Sequence, residues 1–261
     1  MYNSLEFITC SYGPDLQRCR RLCESVDRHV PDDIRHTLIV PRRDRQRFAS
    51  LATERRRVCV VEDILPAGYR QLPWSDRWWL DNRGWPVRGW MMQQLTKLSA
   101  DRVTDAELIL FADSDLVFVR DFDRSLVTRD GLLRLRREPG PAPSDHHLAW
   151  HRRCAELLGL APGYAGSDYV GQLVTWRRSQ LVAMKAHIEH LGDGAWHRLF
   201  ARSLRCSEYT LYGMYIEHVA QEQHGHYYQS GELCHCCWFP EDVDSLVSQR
   251  SPIAASAVAL L

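Results

Sequence analysis

Lysine is almost missing from this chain. Of 33 basic residues only Lys97 and Lys185 are lysines, and all the others are arginine. The bias reads as genome composition, yet it makes each surviving lysine stand out. Net charge is missing too, because 33 acidic residues balance the basic ones. No overall field therefore draws the chain to nucleic acid, and a nucleic-acid partner is not expected. The local clusters Arg42, Arg43, Arg45, Arg47 and Arg55 to Arg57 read as solvated helix and turn faces. No apolar run is long enough to span a bilayer, and the tail from Ile253 to Leu261 is far too short. That tail either docks on the domain or frays. No basic stretch followed by an apolar one opens the chain, so no signal peptide is read. The nine cysteines are odd in number and scattered, with Cys10, Cys59 and Cys154 in stretches that read as core. Reduced thiols and a cytoplasmic protein follow from that pattern. No GxGxxG follows the first strand, which disfavours a dinucleotide fold. No second pair of ligands accompanies Cys234-His235-Cys236-Cys237, so zinc is not expected there.

What is present is an α/β rhythm with an ordinary globular composition, 45% hydrophobic and 25% charged. Leu5 to Cys10 reads as a first strand, broken by Ser11-Tyr12-Gly13-Pro14, and Asp15 opens a helix to about His29. His36 to Val40 and Val58 to Val61 are further strands, separated by a helix from Asp44 to about Ala52. Such alternation implies a parallel sheet with right-handed crossovers. Glu62 to Gly89 interrupts it with Trp74, Trp78, Trp79, Trp85 and several prolines and arginines. Without clear periodicity this stretch reads as a long loop, serving either as packing or as a stacking wall for a flat-faced ligand such as a sugar.

The rhythm resumes with a helix from Trp90 to Leu98, which puts Gln94 and Lys97 one turn apart on one face. Then comes Leu108 to Val119, an apolar strand that stops at Asp113-Ser114-Asp115 before a second apolar run. Ligands on open α/β sheets collect at the carboxyl ends of strands, where this triplet falls. Extended backbone would aim Asp113 and Asp115 the same way. Two hard oxygen anions suit Mg²⁺ or Mn²⁺ held together with substrate phosphates, and Lys97 could reach those phosphates as a point charge. The plainer reading is a strand-to-turn junction with two solvated acids. Beyond Arg120 the pattern weakens. A strand at Gly131 to Arg137, a helix at His146 to Leu158 and a strand at Tyr169 to Trp176 precede two more helices. A last helix opens at Ser207-Glu208, with Ser207 as its cap.

Asp113-Ser114-Asp115, the upstream Gln93-Gln94-x-x-Lys97 and Ser207-Glu208-Tyr209-x-x-Tyr212-Gly213 together resemble GT-A-fold glycosyltransferases, most closely a poorly characterised bacterial group. The resemblance runs from about Leu5 to Trp238. It implies a single GT-A-like domain with a Rossmann-type mixed sheet. The donor half would cover about 1–123, the acceptor half about 124–250, and a short tail 251–261. It implies transfer of a sugar from a nucleoside-diphosphate sugar to a small-molecule, glycan or peptide acceptor, with Mn²⁺ or Mg²⁺ on the diphosphate. Asp115 and Asp113 would bind the metal, with Asp113 and Ser114 also touching the donor. Thr9, Tyr12 and Asp63 would hold the nucleoside, Gln94 and Lys97 the rest of the donor, and His235 would complete the metal shell, with His224 and His226 as rivals. Glu208 would be the general base if the anomeric centre inverts, with Asp168 as substitute. A position at a helix start tends to lower the pKa of Glu208. Two other classes compete. A haloacid-dehalogenase-like phosphatase would use Asp113 as nucleophile with Lys185 and Glu241-Asp242, but places its triplet on the first strand. A non-catalytic nucleotide-sugar-binding protein would use Trp74 to Trp85 as its surface.

Overall fold

The computed structural model describes residues 4–66, 68–202, 205–220, 224–237 and 257–260, with 235–237 and 257–260 given by backbone alone. The chain begins β1 (Leu5–Cys10), α1 (Leu16–His29), β2 (Arg35–Val40), α2 (Arg45–Phe48), β3 (Arg56–Val60) and α3 (Val61–Ile64). In α1 the buried residues Cys19, Leu22, Cys23 and Val26 recur at helical spacing, and Arg28 and His29 sit in the last turn, where the dipole favours cations. A 3₁₀ turn at Gly13–Asp15 precedes α1, and Asp15 makes no capping hydrogen bond. That turn is pinned by Gly13, whose N–H donates to Asp44 Oδ2 at 2.8 Å. A Cβ at Gly13 would lie 2.6 Å from Asp44 Oδ1, so the close approach requires glycine.

The tryptophan-rich stretch is ordered rather than a loop. It forms an antiparallel meander of β4 (Arg70–Gln71), β5 (Trp78–Leu80) and β6 (Pro86–Arg88), followed directly by α4 (Gly89–Leu98). After α4 come β7 (Leu108–Ala112) and β8 (Leu116–Phe118), on either side of the aspartate triplet. The rest is β9 (Thr128–Arg129), β10 (Leu132–Arg136), β11 (Glu138–Pro139), α5 (Asp145–Leu158), β12 (Ser167–Asp168), β13 (Leu173–Arg177), α6 (Arg178–Leu191), α7 (Trp196–Ala201), α8 (Glu208–His218), β14 (His226–Gln229), β15 (Cys234–Cys237) and β16 (Ala257–Leu260). β13 starts later than its sequence pattern suggests, because the Asp168 carboxylate accepts the Val170 N–H at 3.2 Å and turns the chain first.

The central sheet has the order β13-β7-β1-β2-β3, parallel except for β13, which runs antiparallel to β7. Every residue of β1 and of β7 is buried, as expected for strands covered on both faces. Because β13 belongs to the second half of the chain, both halves share one sheet and one domain results. On one face Phe111, Trp176 and Tyr212 pack under the helices α4 to α8, Phe111 edge-on to Trp176 with centroids 4.6 Å apart and Trp176 stacked on Tyr212 at 4.7 Å. On the other face Phe7, Phe118 and Phe122 pack beneath α1. In the tail, β16 lies between β15 and β8, with Ala259 opposite Leu116. Those tail residues therefore dock rather than fray.

Candidate active site

The apolar run of β7 carries Asp113 to the carboxyl edge of the sheet. From the neighbouring helix Lys97 meets it, with Nζ 3.0 Å from Asp113 Oδ1. The same ammonium lies 3.3 Å from Glu208 Oε1 and donates to the Tyr209 hydroxyl at 2.7 Å. Ser207 caps α8, its Oγ accepting the Thr210 N–H at 3.4 Å, and this fixes Glu208 and Tyr209 in the first turn. Gln94 Oε1 then accepts the Glu208 backbone N–H at 3.1 Å, satisfying another helix-end donor. Three motifs that lie far apart in sequence thus converge on one buried ammonium.

The charge balance of this group is uneven. Burial alone would lower the Lys97 pKa, but Asp113, Tyr209 and Glu208 outweigh it and hold the amine well above its ordinary value. Glu208 moves the other way from the helix-start expectation. Its burial raises the carboxyl pKa, and Lys97 and the backbone N–H only partly oppose that. The Lys97 shift follows from several acids around one cation, and the Glu208 shift from burial. Asp115 is also raised, by burial and by the Asp113 charge. Asp113 and Glu208 share Lys97, and Asp115 adds a third carboxylate beside Asp113, a concentration of negative charge that suits a divalent cation. Asp115 Oδ1 is a buried atom without a hydrogen-bond partner and Asp113 Oδ1 meets the Lys97 ammonium, and hard carboxylate oxygens of this kind are what Mg²⁺ or Mn²⁺ takes. Among the described residues no group of three or more His, Cys, Asp or Glu side chains is clustered to hold an ion alone. A metal here would draw its remaining ligands from phosphate and water.

Beside this edge lies a cleft of about 570 Å³, within the range of small-molecule sites. Its floor is Cys10, Ser11, Tyr12, Ile39, Pro41 and Val61, at the carboxyl ends of the first three strands. Its walls are Trp78, Trp79 and Arg88 of the meander and Trp90, Met92, Gln93 and Thr96 of α4. The Cys10 thiol is pushed up to about 12 by burial, so it is a neutral wall atom rather than a nucleophile.

The expected site residues distribute as follows. Tyr12 lines the cleft. Thr9 points into the core instead, its Oγ1 3.0 Å from His36 Nε2, because strand alternation turns Cys10 toward the cleft side. Asp63 is exposed and paired with Arg42, and it is Val61 of the same short helix that lines the cleft. Gln94 is buried against α8, and its neighbour Gln93 reaches the cleft. Ser114 is buried between the two aspartates. Asp168 is held by Arg136, at 3.5 Å, and by His147, at 3.9 Å, away from the Lys97 group. His235 stands on β15 opposite Val258, with its side chain outside the described residues. His226 contacts the Tyr212 hydroxyl at 2.9 Å, and its N–H donates to His224 Nδ1. Lys185 pairs with Asp101, and Glu241-Asp242 lie outside the described residues. Cys10, Ser11 and Thr96 also line the cleft, and no sequence motif marks them as site residues. The signal that could have found them is the end of β1 for the first two, and one turn of α4 from Gln93 for the third.

The central sheet, its antiparallel edge strand and the covering helices are those of the GT-A fold. Among solved structures, the galactosyltransferase LgtC in complex with donor and acceptor sugar analogs matches 98% of this chain and 86% of its own, at 13% identity and a TM-score of 0.51. An active-site mutant of LgtC matches with the same coverage at 12% identity and a TM-score of 0.49. No curated protein matches by sequence. The chain belongs to the family of unknown function DUF6492, whose model matches residues 5–243.

Proposed function

We propose that this protein is a glycosyltransferase that moves a sugar from a nucleoside-diphosphate sugar to an acceptor hydroxyl. The observation that carries the reading is the convergence of Asp113, Lys97 and Glu208 at the end of β7, beside a cleft of about 570 Å³. In this reading the aromatic lining of Tyr12, Trp78 and Trp79 takes the nucleoside, and the diphosphate lies toward the aspartate triplet. Asp113 and Asp115 are the residues that would hold Mg²⁺ or Mn²⁺, with His235 as the third candidate ligand. When bound, the ion would stabilise the charge that grows on the departing nucleoside diphosphate. Lys97 holds the Asp113 carboxylate in place and adds a fixed positive charge near the leaving group. Glu208 is the candidate general base. Its raised pKa brings it closer to working pH than a solvated glutamate, and Lys97 favours the ionised form that accepts the proton. Asp168, held by Arg136 on the second half of the chain, is the substitute base. The donor half to about 123 and the acceptor half beyond it belong to the same proposal, as does a cytoplasmic location.

The test is a screen of nucleotide sugars for slow hydrolysis with and without Mn²⁺, scored by release of nucleoside diphosphate. The reading expects hydrolysis of one donor class that depends on the ion and is lost in Asp115→Ala. Binding of donor without hydrolysis under any ion would favour a non-catalytic nucleotide-sugar-binding protein.

A further inference from the structure

We propose that the tryptophan-rich meander β4–β6 is a docking surface for an anionic lipid bilayer. Four tryptophans within twenty residues remain exposed: Trp74 at 81%, Trp85 at 66%, Trp90 at 45% and Trp78 at 39%. Trp78 and Trp90 line the cleft, which accounts for them. Trp74 and Trp85 do not line it, and folding leaves both indoles in water. Folded proteins seldom leave large apolar side chains clustered in the open without a partner.

Both indoles are displayed by ordered turns. Trp74 stands in the β4–β5 turn, closed by Ser75 N–H donating to Leu72 O at 3.1 Å. Trp85 ends the β5–β6 turn, where its N–H donates to Asp81 Oδ1 at 2.8 Å and its carbonyl accepts the Asp81 N–H at 3.0 Å. The two turns sit at opposite ends of the short strand β5 and both indoles lie outside the cleft, so a partner that meets both has to be broader than the cleft. Buried Trp79 anchors the meander to the core from the inner side.

The meander as a whole is basic, with four arginines against two aspartates. Arg70, Arg77, Arg83 and Arg88 are all exposed. Of the meander's two acids, Asp76 is bound by Arg43, and Asp81 is engaged by the Arg83 and Trp85 backbone N–H groups. Through Arg43 the meander abuts the arginine-rich turn 42–47, where Arg42 is answered by Asp63 and Arg47 by Asp44. Tryptophan settles at the membrane–water interface, and arginine is drawn to anionic headgroups. Since the chain as a whole carries no net charge, the basic character is local to this face. Among the described residues no helix is long and apolar enough to cross a membrane, so attachment would be peripheral.

The inference does not depend on what the cleft catalyses. Its test is co-sedimentation of the full chain with phosphatidylcholine vesicles, with or without phosphatidylglycerol, at low and high salt. Tryptophan emission is recorded alongside. The wild type should sediment with the anionic vesicles, shift its emission to the blue, and be released by salt. Trp74→Ser/Trp85→Ser should abolish the blue shift while circular dichroism stays that of the wild type. Each of Arg70→Gln, Arg77→Gln and Arg83→Gln should weaken partitioning about fivefold. Failure of the wild type to bind anionic vesicles overturns the proposal. So does equal binding by the double tryptophan variant, or an emission shift produced by soluble oligosaccharide or oligonucleotide and not by vesicles.

Discussion

Gln94 and Glu208 lie 114 positions apart, yet the Gln94 side-chain oxygen accepts the Glu208 backbone N–H at 3.1 Å. One turn further along the same helix, Lys97 meets the Glu208 carboxylate. A single face of α4 therefore holds both the backbone and the side chain at the start of α8, and it also holds Asp113 at the end of β7. Site geometry and the docking of α8 are set by the same few side chains.

Replacing Lys97 should then be costly for folding as well as for activity. Lys97→Met leaves buried Glu208 and half-buried Asp113 without their shared cation, a loss of about 3 kcal/mol. Glu208→Gln in the same chain removes one of the stranded charges and should restore part of that loss. Urea unfolding of the two single variants and the double variant measures the coupling. Strictly additive effects would mean that the two side chains do not share the ammonium in solution.

Glu208→Gln alone keeps the size and the Lys97 contact but cannot accept a proton. Transfer should fall roughly 10²-fold while donor affinity is unchanged. The measurements are kcat for transfer and donor Kd by calorimetry. Wild-type transfer would leave Glu208 a structural partner of Lys97, and the same comparison on Asp168→Asn would follow.

Nucleoside-diphosphate binding should strengthen when Mn²⁺ is added to the wild type, and Asp115→Asn should lose that gain while keeping its ion-free affinity. Calorimetry in all four combinations decides it. Equal affinities throughout would separate the aspartate triplet from the donor.

Much of this arrangement could be read from residue order, and the reasons are local. β1, α1, β2 and β7 announce themselves by period and by turn residues, and the Asp113–Asp115 triplet by its place after a buried strand. Three details were not legible. Thr9 and Cys10 differ by one position on a strand, and only the neighbouring elements decide which of them faces the cleft. Glu208 carries the helix-start signature of a lowered pKa, but burial, a tertiary property, prevails. The segment 62–89 lacks alternation because its strands are only two or three residues long, so a three-stranded sheet looked like a loop.

Gly213 offers a test in which the usual sign reverses. Within a helix, glycine to alanine ordinarily adds up to about 1 kcal/mol of stability. Here α8 lies so close to Tyr169 that a Cβ at position 213 would come within 2.2 Å of its ring. Tyr169 is fixed from the other end, donating to Glu217 Oε2 at 2.7 Å. Gly213→Ala should therefore destabilise by about 1–3 kcal/mol, the usual range for overpacking a core. A higher melting temperature in that variant would show that α8 and Tyr169 are less tightly packed.

Acid should destabilise the fold through histidines buried in the neutral form. Burial, with Arg177 and His224 nearby, holds His226 down to about 3. Burial likewise holds His151 down to about 4, against the partial opposition of Asp168. His36 is also lowered, by burial and by Arg56. In the unfolded chain each would titrate near its ordinary value of 6.5. Between that value and the folded one the unfolded state binds more protons, so stability falls as pH falls. The contribution is complete above about pH 6.5 and is lost progressively below it. Each histidine can cost up to ~2 kcal/mol between pH 7 and pH 5. Urea unfolding midpoints across that interval should drop steeply, and His226→Gln, which keeps a partner for the Tyr212 hydroxyl without a titrating ring, should flatten the slope. A midpoint independent of pH from 7 to 5 would mean that these imidazoles reach water in the folded protein.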